Sequence, residues 1–175
     1  MTKPVLVMAV GNESRGDDAL GPLLARRLEA WLKNTGLGEQ VEVIEEFQLQ
    51  VEHTLDIKGR TLVLFVDAGH GAPAPFSFYA AVARRLDGHT THAVAPEALL
   101  GIYATVHHEL PPPAFILCVA GVAFELGEPL SPDAEQHLEQ AFAFCQPLFH
   151  APAQNVWSEI AVASANSTQE CKGPL

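Results

Sequence analysis

Positive charge is scarce in this chain of 175 residues: 10 Lys and Arg stand against 21 Asp and Glu, a formal net charge of −11. Such a surface repels a phosphate backbone or an anionic bilayer, so nucleic acid and membrane surfaces are excluded as its main partners. Cysteine is scarce as well. The three, Cys118, Cys145 and Cys171, are odd in number and far apart, which argues against a disulfide framework or a zinc knuckle. Cys118 and Cys145 lie in apolar stretches and read as small core residues. No apolar run is long enough to cross a bilayer. The N-terminal "MTKPVLVMAVGNE" leads into a Gly-Asn turn rather than a small-residue cleavage site, so it does not read as a signal peptide. These absences predict a soluble protein of the reducing cytoplasm. H-E-x-x-H is missing too, and no Ser-His-Asp or Cys-His arrangement is evident, so neither an ordinary zinc protease nor a covalent nucleophile is expected.

What is present is apolar and ordered. Hydrophobic residues make up 48% of the chain, enough for the core of one domain. "VLVMAV" (5–10), "TLVLFVDA" (61–68) and "AFILCVAGV" (114–122) are continuous runs that read as strands buried on both faces. "VEVIEEF" (41–47) alternates like a strand, and "FSFYAAV" (76–82) reads as a strand near an edge. Leu20, Leu23, Leu24, Leu28, Trp31 and Leu32 recur at helical spacing, predicting a helix that ends near residues 34–36. "VEHTLDI" (51–57) is a short helix, and "PEALLGIYATVHH" (96–108) is a longer one with Pro in its first turn. "SPDAEQHLEQAFAFCQPLF" (131–149) opens on a Ser-Pro-Asp cap and is expected to run until Pro147. Strands alternating with helices predict an α/β fold with a mostly parallel sheet. The domain is placed at 1–149. Residues 150–175 show no sustained pattern and are assigned to a tail with a mobile end.

The chemistry gathers in "AVGNESRGDDALG" (9–21). In open α/β sheets ligands collect beyond the carboxyl ends of the strands. Asp17 and Asp18 follow one strand and Asp67 ends another, so these carboxylates can converge. One aspartate would serve as a helix cap. Two in succession repel each other and invite a cation or a proton, so a metal or catalytic role stands beside capping. "GNESRG" is neither G-x-G-x-x-G nor a P-loop, which disfavours nucleotide binding. Asn12 is expected to orient the loop. "GHTTHAVAPEALL" (88–100) supplies His89 and His92 in a loop before a helix. His70 is a secondary candidate, and His107 and His108 read as C-terminal caps. Taken singly, each histidine is more simply a solvated or hydrogen-bonded side chain. Two carboxylates with one imidazole would suit nickel or zinc.

These segments resemble the nickel–iron hydrogenase maturation endopeptidases: the Gly-Asn turn followed by an acidic doublet and glycine, the strand-end "VLFVDAG", and the histidine of "HAVAPEALL", in that order, over about residues 4–149. "FQLQVEH" is similar to the branch serving cytoplasmic, NAD-linked bidirectional hydrogenases. The resemblance implies a three-layer α/β/α sandwich around a twisted, mostly parallel sheet. It implies that Asp18, Asp67 and His92 are catalytic and contact nickel, with His92 favoured over His89. Where that family often has glutamate, this chain has the shorter Asp18. The implied reaction removes the C-terminal extension of a hydrogenase large-subunit precursor. The nickel is carried by that substrate rather than held by the protease, which is expected to be a monomer. Two other readings stand beside it: a nickel-sensing assembly factor for the same subunit that does not cleave, and an unrelated α/β hydrolase or nucleotide-binding protein.

Overall fold

A computed structural model describes residues 1–85 and 93–164. Five strands form one sheet: β1 (Val5–Val10), β2 (Val41–Glu46), β3 (Leu62–His70), β4 (Phe76–Ala80) and β5 (Ala114–Gly121). Their order is β2-β1-β3-β5-β4, with β4 antiparallel to β5 and every other pairing parallel. The helices are α1 (Leu20–Asn34), α2 (Thr54–Ile57, continuing a 3-10 turn at Val51–His53), α3 (Pro96–His107), α4 (Pro132–His150) and α5 (Gln154–Ser164).

Alternation along the strands sorts the core into two halves. Val5, Val7 and Ala9 of β1 face one way and pack with Leu24 and Leu28 of α1, Ala141 and Leu148 of α4, and Trp157 of α5. Leu6 and Met8 face the other way and pack with Ile57 of α2 and with Leu99 and Tyr103 of α3. Both faces are covered, which is why β1, β3 and β5 are apolar without interruption. The result is the expected three-layer sandwich, and β4 lies at an edge as its half-polar pattern predicts.

Two expectations need correction. Helix α4 does not stop at Pro147 but runs through it to His150, because Leu148 and Phe149 beyond the proline are buried in the core. The stretch after residue 150 is not without pattern either. Gln154–Ser164 form a helix, and Trp157 is fully buried among the rings of Phe78, Phe115 and Phe149. Its indole Nε1–H donates to the carbonyl of Leu148 at 3.0 Å, so α5 locks the end of α4 in place. Residues 165–175 lie outside the described residues. Trp157→Phe keeps most of the ring contact but strands the Leu148 acceptor. We expect it to lower unfolding free energy by about 1–2 kcal/mol, read from urea denaturation. An unchanged midpoint would show that α5 does not belong to the cooperative core.

The cysteines divide. Cys145 is a free, buried thiol whose burial pushes its pKa well up, an inert core residue as expected. Cys118 is equally buried on β5 but is disulfide-bonded, a bond that the odd count and wide spacing of the cysteines did not suggest.

Candidate active site

Strand lengths open the site. The last β1–β3 pair is Ala9 with Val66, whereas β3 continues to His70 beside β5. Asp67 is therefore not the end of its strand, as the sequence suggested, but the first β3 residue past the pairing with β1. From β1 the chain passes to α1 on one face of the sheet, and β2 returns through α2 on the other. The carboxyl ends of β1 and β3 thus border a crevice of the kind in which open α/β sheets bind ligands. A cavity of about 360 Å³ lies there, lined by Asp18, Asp67, Arg15, Phe47 and Gln48 among others.

The loop after β1 is built to deliver Asp18 to that cavity. Gly11 permits the first step: a Cβ on it would fall 2.1 Å from the Asp18 carbonyl oxygen and 2.9 Å from the Pro22 ring. Gly21 permits the second, since a Cβ there would meet the Val10 carbonyl oxygen at 2.1 Å. Helix α1 can therefore start directly above β1. The Asn12 backbone N–H donates to Asp18 Oδ2 at 2.9 Å, while the Asn12 side-chain oxygen accepts from Ser14 N at 2.9 Å. Asn12 does orient the acidic loop, but its main chain holds the carboxylate and its side chain closes the turn.

The two adjacent aspartates part company. Asp17 is 0% exposed, and it turns towards the loop between β5 and α4. There it accepts from Val122 N at 2.7 Å, Ala123 N at 2.9 Å, Ser131 N at 2.7 Å and Ser131 Oγ at 2.8 Å. Burial pushes its carboxyl upward, but these donors outweigh burial and hold its pKa below the ordinary value. Asp17 is thus neither a helix cap nor a metal ligand; it ties two distant loops together. Nothing local in the sequence identified its donors, although Ser131 was legible as a helix cap, and its Oγ does accept from Ala134 N.

Asp18 and Asp67 remain to face the cavity. Burial raises the pKa of Asp18, opposed by the Asn12 N–H and the nearby Arg15 charge. Asp67 is pushed up to about 7, chiefly by burial and further by the negative charge of Asp18, while the Ala68 N–H, 2.8 Å from its Oδ1, pulls the other way. Near neutral pH the pair therefore carries between one and two negative charges. A cation entering the cavity would relieve that repulsion and displace the proton on Asp67.

This arrangement has a consequence for stability. An acid whose pKa is raised on folding leaves the folded state unburdened below its unfolded value near 3.8 and weakens it as pH climbs towards about 7. Asp67→Asn removes that burden. At pH 8 the variant should be more stable than the parent by about 2 kcal/mol, water in the cavity screening part of the full effect. At pH 4 the two should coincide. A variant that is less stable at both pH values would show that the Asp67 carboxylate is not under strain.

The remaining expectations divide. His89 and His92 lie outside the described residues. Among the described residues no three His, Cys, Asp or Glu side chains gather as a metal site, so Asp18 and Asp67 are the two donors that converge. His70 is exposed at the end of β3, its ring 5.4 Å from that of Phe124, and does not line the cavity. His108 is the left-handed C-cap of α3, while the ring of His107 packs at a tilt with its centroid 4.6 Å from that of Tyr103. Arg15, Phe47 and Gln48 were not singled out as site residues; "SRGDD" and "FQLQ" placed them beside the acidic motif without showing which way they face.

No protein-family model matches this chain, and no curated protein matches it. Solved structures do. HycI, a [NiFe] hydrogenase maturation protease from Thermococcus kodakarensis, superposes with a TM-score of 0.62 at 21% identity, over 85% of this chain and 93% of that one. The hydrogenase maturating endopeptidase HybD from E. coli gives a TM-score of 0.64 at 19% identity, over 85% and 93%. A hydrogenase 2 maturation peptidase from a Thaumarchaeota archaeon gives 0.58 at 22%, over 85% and 99%. The chain has the fold of hydrogenase maturation proteases. The likeness spans nearly the whole of those proteins. Among the described residues no helix is long and apolar enough to cross a membrane.

Proposed function

We propose that this protein is an endopeptidase that removes the C-terminal extension of a nickel-loaded hydrogenase large-subunit precursor. The observation that carries the reading is the meeting of Asp18 and Asp67 in one cavity at the carboxyl ends of β1 and β3, within a fold shared with maturation proteases. Nickel belongs to the substrate. Asp18 and Asp67, with His92, which precedes α3 in the sequence, make a partial ligand set, and the precursor's cysteines complete it. An acidic cavity lacking a full set of its own then selects the loaded precursor over the empty one. Oxygen and imidazole donors suit a borderline ion of this kind.

The finer assignments follow the same reading. Phe47, Gln48 and Leu49 of "FQLQVEH" line the cavity, which supports placing the protein in the branch that serves cytoplasmic, NAD-linked bidirectional hydrogenases. A monomer acting in the cytoplasm fits that role. The test is direct. Purified protein is incubated with nickel-loaded and nickel-free precursor, and the size of the large subunit is followed. Shortening of the loaded form alone is expected. Capture of the loaded precursor without shortening would instead identify a non-cleaving assembly factor, and neither capture nor shortening would remove both readings.

A further inference from the structure

Arg15 stands apart from the other positively charged groups of this acidic protein. Arg26 is held by Glu13 and Glu45, Arg27 by Glu139 and Arg60 by Glu42. Arg15 instead lines the carboxylate cavity, the one cationic side chain to do so among the described residues. No glutamate or aspartate reaches it within ion-pair distance there; its electrostatic partner is Asp18, which it influences without a direct bond. Its main chain is fixed from both sides. Arg15 N donates to the Asn12 carbonyl at 3.0 Å, and the Arg15 carbonyl accepts from Asp18 N at 3.0 Å. The same turn therefore carries both residues to the cavity that they line.

The chemistry of peptide hydrolysis needs such a group. Water adds to the scissile carbonyl carbon and gives up a proton to a cavity carboxylate, while the carbonyl electron pair moves onto oxygen. The C–N bond then breaks, the oxygen pair re-forms the carbonyl, and the proton passes to the departing amine nitrogen. Negative charge develops on oxygen in between, and two carboxylates can only oppose it. A fixed donor beside that oxygen lowers the barrier, and a guanidinium offers a planar fork of N–H groups that stays charged at every relevant pH.

We propose that Arg15 is a catalytic residue of this site, its guanidinium donating to the carbonyl oxygen of the bond to be cleaved in the precursor's C-terminal extension. The assignment rests on the endopeptidase reading above. Arg15→Gln and Arg15→Lys are compared with the parent in single-turnover cleavage of nickel-loaded precursor, alongside capture of that precursor by immobilised protein. Arg15→Gln should capture the precursor as the parent does yet cleave it about a hundredfold more slowly, the effect of losing one donor to a developing oxyanion. Arg15→Lys, which keeps the charge but not the fork, should recover part of the rate. Cleavage by Arg15→Gln at the parent's rate would overturn the proposal. So would loss of capture in both variants with their thermal unfolding unchanged, since that would make Arg15 a recognition group. If the parent itself leaves the loaded precursor at full length, the endopeptidase reading fails first and takes Arg15 with it.

Discussion

Asp18→Ala and Asp67→Ala should each abolish shortening of the nickel-loaded precursor while the protein stays folded. The two carboxylates line one cavity, and whichever is removed leaves the incoming cation with one oxygen ligand from this pair and the attacking water with one base fewer. Loss of a group acting as ligand or base is worth about 10²–10⁴ in rate, and the two variants should not differ by much because neither carboxylate can replace the other. His92→Ala belongs in the same series. Folding distinguishes loss of chemistry from loss of structure: Asp67→Ala removes a carboxyl that burial pushes up to about 7, so the variant should not be less stable at pH 8. The same property predicts a pH dependence. Capture of the loaded precursor should strengthen between about pH 6 and 8, as the proton on Asp67 becomes easier to displace, and the dependence should vanish in Asp67→Asn. Normal processing by Asp67→Ala would show that the metal-contacting groups have been placed wrongly.

The frame of this site was legible in the sequence because it depends on local patterns. Three unbroken apolar runs and the spacing of Leu20, Leu24, Leu28 and Leu32 follow from burial on two faces and on one stripe. The convergence of Asp18 and Asp67 follows from a rule about where strands end, without any contact between them being visible in the chain. What stayed hidden depends on tertiary packing. Pro147 is a local stop signal, yet α4 continues because Leu148, Phe149 and the Trp157 indole have somewhere to go only if it does. Val156, Trp157, Ile160 and Ala161 have helical spacing, but eleven residues ending in a polar stretch are too few to stand out. The roles of Arg15 and Phe47 depend on which way a loop turns, and that is set by Gly11, the Asn12 N–H and the position of α1.

Asp17 shows most sharply why an acidic doublet cannot be interpreted from its own neighbours. Its replacement by Ala should cost about 3–5 kcal/mol of unfolding free energy, the range for removing one partner from a buried, charged network. Three backbone N–H groups, of Val122, Ala123 and Ser131, and the Ser131 hydroxyl all point at this carboxylate, and an alanine leaves them without an acceptor in a place water does not reach. Asp17→Asn keeps the shape and one oxygen, so it should lose less, about 2–3 kcal/mol. The pH dependence runs opposite to that of Asp67. The Asp17 carboxyl is held below its ordinary value of 3.8 in the folded protein, so its stabilisation is complete above that pH and fades as pH falls through the folded value. Urea denaturation of parent and Asp17→Asn should therefore show a gap at pH 7 that narrows at pH 3. A parent and an Asp17→Ala variant of equal stability at pH 7 would mean that the loops after β1 and β5 are not held together through this side chain. The position of Asp18 over the cavity would then need another cause, because the turn that carries Asp18 is anchored on its far side by the neighbouring Asp17.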